Sequence, residues 1–154
     1  MPADLEKLAY ESALRALDKQ ERLVEELRAR TGLVLAASSV AASLLGGRGV
    51  GAPGPNGFAL LAIACLVASI GAAVFVLLPR EDLMFSVRGI PLFEGLSDST
   101  DLAESFLRAA TSLDGVWATN EVTIQLLTRA FSVAAVALAI EIGALAVFMG
   151  GTLI

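Results

Sequence analysis

Glu141 is the residue in this 154-residue chain whose setting most clearly invites chemistry, because it stands near the middle of Ala130–Met149, a run with no other ionisable side chain. An ionised carboxylate at that depth in lipid costs at least a few kcal/mol, so it must face other helices or water, and such residues are functional by default. Two roles are open to it. It lines a water-filled lumen, or it is a protonated acid that hydrogen-bonds a neighbouring hydroxyl and holds helices together. The hydroxyls available on apolar stretches are Ser38, Ser39, Ser43 and Ser69. The candidate intramembrane polar set is therefore Glu141, Ser39, Ser43 and Ser69, with Ser38 as a further partner.

Other chemistries are excluded by composition. With no histidine and one cysteine, Cys65, the chain lacks an imidazole base, a Cys/His zinc site and an internal disulfide. Its serines have no base to activate them and no glycine-rich turn to present them. Gly49-x-Gly51 and Gly54 lie in a proline-containing stretch with no strand before it and no phosphate-binding lysine after it. We expect no enzyme, no cofactor and no metal. The formal charge of −5 also opposes binding to a nucleic-acid polymer, which needs clustered excess Lys and Arg. Arg88 and Arg108 are the remaining candidates for a small anionic ligand, since the other basic residues belong to the N-terminal segment, the membrane borders or a glycine-rich loop.

Elements that could position Glu141 follow from hydropathy. The chain is 56 % hydrophobic and 18 % charged, against roughly 25 % charged in ordinary soluble domains. A bilayer core of roughly 30 Å takes about 20 apolar helical residues. Gly57–Leu78 fits, ending at Pro79-Arg80-Glu81-Asp82, and so does 130–149, interrupted only by Glu141. Thr31–Leu45 is shorter, and spans if the bilayer thins or Arg28 and Arg30 snorkel. The expected fold is all-α: an integral membrane bundle of three transmembrane helices (31–45, 57–78 and 130–149), with an outer loop at 46–56 and an outer tail at 150–154.

Basic residues orient these spans. Six lie in residues 1–30, four in 79–129 and one, Arg48, in the loop, which places the N-terminus and 79–129 in the cytoplasm. In 1–30, Leu5, Leu8, Ala13, Leu17, Val24 and Leu27 recur near every 3.6 residues. No glycine or proline intervenes between Ala3 and Thr31, so an amphipathic helix runs unbroken into the first span. Its stripe needs a partner, from 79–129 or from other copies. Within 79–129, Leu83–Val87 alternates as a brief extended piece, and Asp101 with Glu104 is spaced as a capping box for a helix that stops at Asp114-Gly115. A second helix carries Val116, Asn120, Ile124 and Leu127 into the last span. Small-residue spacings such as Ala64-x-x-x-Ala68-x-x-x-Ala72 and Ala135-x-x-x-Ala139-x-x-x-Gly143 permit close helix approach, within one chain or between copies.

This order of features resembles the small transmembrane effectors of Pycsar antiphage systems and the broader SLATT-type group. The matching stretches are Leu17-Asp18-Lys19-Gln20 through Glu26-Leu27-Arg28-Ala29-Arg30-Thr31-Gly32, the apolar pair of spans, the Leu77-Leu78-Pro79-Arg80 exit, and the Asp101-Leu102-Ala103 and Asn120-Glu121 helices leading to the last span. The resemblance implies a bacterial inner-membrane protein that forms a homo-oligomer on a cyclic-nucleotide signal from a partner cyclase and disrupts membrane integrity. The competing expectation is a structural membrane adaptor whose cytoplasmic helices recruit a soluble partner. An ion-coupled transport unit built on Glu141 is a third, weaker for having a single acid.

Overall fold

The computed structural model describes residues 2–49, 57–80, 83–85 and 102–151, with side chains described over 5–44, 57–80, 83–85 and 103–147. Three helices make up these residues: α1 (Pro2–Gly49), α2 (Gly57–Leu77) and α3 (Leu102–Gly151), with no strand among them. α1 is continuous across the Arg30–Thr31 junction. Its polar half is rich in strong helix formers and carries the exposed i,i+4 ion pairs Glu11–Arg15, Asp18–Arg22 and Glu26–Arg30. Each such pair contributes only a few tenths of a kcal/mol. α2 ends where the Leu78 amide donates to the Val74 carbonyl at 2.9 Å, just before Pro79, whose ring and missing N–H end the helix.

The expected break at Asp114-Gly115 is absent, and α3 runs through it. One interior glycine costs about 1 kcal/mol relative to alanine. Against that, a break would unseat the stripe that continues from Leu113, 2 % exposed, to Asn120, 1 % exposed.

Buried positions recur every seven residues on all three helices. On α1 they are Leu17, Val24, Thr31 and Ser38; on α2, Ala62, Ser69 and Val76; on α3, Leu113, Asn120, Leu127, Ala134 and Glu141. Gln20 and Ala41 accompany the first set, and Ala109, Ile124, Ala137 and Ala144 the last. A seven-residue repeat with buried positions three or four apart is the pattern by which packed helices keep one seam facing its neighbours.

The chain divides into two compact units, Met1–Glu25 with Pro79–Leu126, and Glu26–Leu78 with Leu127–Ile154. In the first, α1 and α3 run parallel: Tyr10 meets Phe106 with ring centroids 5.7 Å apart, and Gln20 meets Trp117. Leu17 and Val24 are buried there, while Leu5 and Leu8 remain exposed, so only part of the apolar stripe is covered. In the second, Ser38, Ser69 and Ala134 share one layer, and Ala41, Ala62, Ala144 and Leu145 form an apolar cluster. Going from the first layer to the second, numbering rises on α1 and α3 and falls on α2. α2 is therefore antiparallel to the other two.

Two helices are long and apolar enough to cross a membrane, Gly57–Leu77 and the stretch within Ala103–Val147. Three were expected. Among the described residues α1 does not meet the same measure, because its apolar run starts only after Arg28 and Arg30 and is diluted by Ser38, Ser39 and Ser43. Leu61, Ile63, Val67, Val74, Val133, Val136 and Ile140 are exposed along α2 and α3, a density of outward apolar side chains suited to lipid.

Candidate functional site

Ser69 is the centre of the polar set in the second unit. Fully buried on α2, its hydroxyl donates to the Ala134 carbonyl of α3 at 3.1 Å and pairs with the Ser38 hydroxyl of α1 at 3.2 Å. Since Ser69 spends its one proton on Ala134, Ser38 donates to Ser69, and the chain of hydroxyls ties three helices at one level. Thr31, also buried, donates to the Leu27 carbonyl one turn earlier on α1 at 2.7 Å.

Glu141 lies seven residues beyond Ala134 on the same stripe of α3, and one turn before Ala144 and Leu145. It is 0 % exposed, and neither carboxylate oxygen has a hydrogen-bond partner. That combination is costly for a carboxyl group and is the most unusual feature of the unit. The structure thus separates the sequence candidates. Glu141 and Ser69 lie on buried seams with Ser38. Ser39 and Ser43 are exposed, each returning its hydroxyl to its own helix, at the carbonyls of Ala36 (2.7 Å) and Ser39 (2.9 Å).

The two ligand candidates do not form a site among the described residues. Arg108 is an exposed side chain paired with Glu104 at 2.6 Å on the same helix, and Arg88 lies outside the described residues. So do Asp98–Asp101, which include the Asp101 of the expected capping box, and most of the outer loop. Of the extended run, 83–85 are described and are not helical. Cys65 is half-buried and lines an apolar groove of about 360 Å³ with Ser132, Val133, Val136, Ala137 and Ile140. No group of three or more Asp, Glu, Cys or His able to hold a metal occurs among the described residues.

The first unit has its own polar layer. The Asn120 side-chain amide donates to the Met84 carbonyl at 2.8 Å and accepts from the Met84 amide at 3.1 Å, imitating a backbone pairing. It also donates to the Gln20 side-chain carbonyl at 3.4 Å. Gln20, 3 % exposed, in turn donates to the Trp117 carbonyl at 3.2 Å and to the Glu121 carboxylate at 3.4 Å. The segment after α2 is thereby pinned against α3. From the sequence Asn120 was placed on an apolar face with no role for its amide, and Gln20 was named only within the stretch that carries the resemblance. The available signal was arithmetic: Asn120 and Glu141 are three sevens apart, so one stripe carries both.

No protein-family model, curated protein or solved structure matches the chain.

Proposed function

We propose that this chain is an integral membrane effector that assembles as a homo-oligomer and disrupts the bacterial inner membrane when triggered, with its N-terminus and residues 79–129 in the cytoplasm. Glu141 is the observation that carries the reading: a buried acid without a hydrogen-bond partner, on a helix apolar enough to cross a bilayer. A closed bundle with such a group at its seam is poised to admit water there when it opens, and water would stabilise the charge. α1 is proposed as the third span. Its Ser38 and Ala41 share layers with α2 and α3, so if those two cross the bilayer, this part of α1 lies at the same depth. The antiphage setting and the cyclic-nucleotide trigger rest on the family resemblance.

Membrane potential tests the proposal. Wild-type protein expressed with a partner cyclase should depolarise bacteria and arrest growth. Glu141→Leu should abolish this while still reaching the membrane as an oligomer, because leucine keeps the seam dry. Depolarisation by the leucine variant equal to wild type would retire Glu141. No depolarisation by wild type, with or without a cyclase, favours the second reading, a membrane adaptor. That alternative has its own support in Leu5, Leu8, Leu107 and Val122 of the first unit, which are 54–71 % exposed and offer apolar contacts to a soluble partner.

A further inference from the structure

We propose that Glu141 anchors a binding site for a small monovalent cation, a proton or a sodium ion, inside the closed helix bundle. The argument is one of charge balance. A carboxylate removed from water must be neutralised by a proton or paired with a positive charge. Residues 31–44 of α1, all of α2, and 130–147 of α3 apart from Glu141 itself contain no charged side chain, and Cys65 is their only other ionisable group. The nearest basic residues on the three helices are Arg30 and Arg48 on α1, Arg80 beyond α2 and Arg129 on α3. Each stands five or more positions from the layers that flank Glu141, at least about 7 Å of helix rise, and Arg129 is twelve positions from Glu141 itself.

No protein hydrogen bond substitutes for that missing charge, since both Glu141 oxygens are unpartnered. The nearest layer of buried hydroxyls is that of Ser38 and Ser69, at the level of Ala134, and it lies outside hydrogen-bond reach of the Glu141 carboxyl group. Helical side chains lean toward the N-terminal end of their helix, and for Glu141 that is the side of Ala134 and the serine pair. On the other side Ala41, Ala62 and Ala144 are too small to reach the carboxyl group with a polar atom, and they bring the helix backbones close. A lone buried carboxyl group suits a proton, or a sodium ion that draws its remaining ligands from other oxygens.

Infrared difference spectra of the full-length protein in detergent micelles, wild type minus Glu141→Gln, read the state of this one carboxyl group. Spectra are taken near neutral pH in sodium chloride and in choline chloride, each in H2O and D2O. A carboxylic-acid C=O band that moves down in D2O assigns the proton. A pair of carboxylate bands that shifts when choline replaces sodium assigns the sodium ion. Carboxylate bands at the same position in both salts would overturn the proposal. If the glutamine variant fails to assemble, Glu141→Asp takes its place, because the shorter side chain displaces the same bands. The inference depends on the membrane placement of α2 and α3 but not on the effector role. Absence of depolarisation would leave it standing.

Discussion

Asn120 and Ser69 both tie helices together, yet their removal should not cost the same. Asn120→Ala removes two part-buried hydrogen bonds to the Met84 backbone, which at about 0.5–1.5 kcal/mol each is a loss of roughly 1–3 kcal/mol. Ser69→Ala removes two hydroxyl bonds in the unit that carries the apolar spans, where such bonds average about 0.6 kcal/mol each because alternative partners are found in the unfolded state. Thermal unfolding in one detergent should therefore rank Asn120→Ala as the more damaging, with faster proteolysis near Met84. Equal midpoints would mean that the Met84 pairing contributes little. Glu141 was legible in the sequence because one acid in twenty apolar residues stands out. Asn120 was not, because an amide in a mixed polar helix is ordinary until its burial is known.

The unbroken course of α3 is the clearest instance of packing overriding a local signal. Asp114-Gly115 has the composition of a helix stop, but the seven-residue seam does not register a single weak former. A Cβ added at Gly115 would meet nothing within 4 Å. Gly115→Ala is therefore expected to stabilise α3 by about 0.5–1 kcal/mol, seen as a rise in thermal midpoint with helix content unchanged. A lower midpoint would mean that the chain needs glycine there. Helices α1 and α2 were easier to read, since an uninterrupted run of helix formers and an uncharged window ended by proline leave few alternatives. What one-dimensional reading could not supply was which face of each helix is inward, and hence that Ser38 belongs to the seam while Ser39 and Ser43 do not.

For the molecule as a whole, the open question is on which side of the membrane α1 begins, and reporter fusions answer it. With three spans, a reporter at the N-terminus and one at Ser97 are both cytoplasmic, and one after Ile154 is external. With two, the N-terminal reporter joins the one at Ile154. We expect the first pattern, from the shared layers of α1, α2 and α3 and from the ten basic residues in 1–30 and 79–129 against one in 46–56. The common spacing of the buried positions also limits how the length of such a chain can change. One residue inserted in α3 between Leu127 and Ala134 turns everything beyond it by about 100°, swinging Glu141 off its buried seam. Seven inserted residues turn it by about 700°, close to two whole turns, and restore the facing. Insertions close to whole turns, such as seven or eleven residues, should survive better than insertions of two, five or nine, so a library of α3 insertions scored for membrane accumulation would show a period rather than a gradual decline.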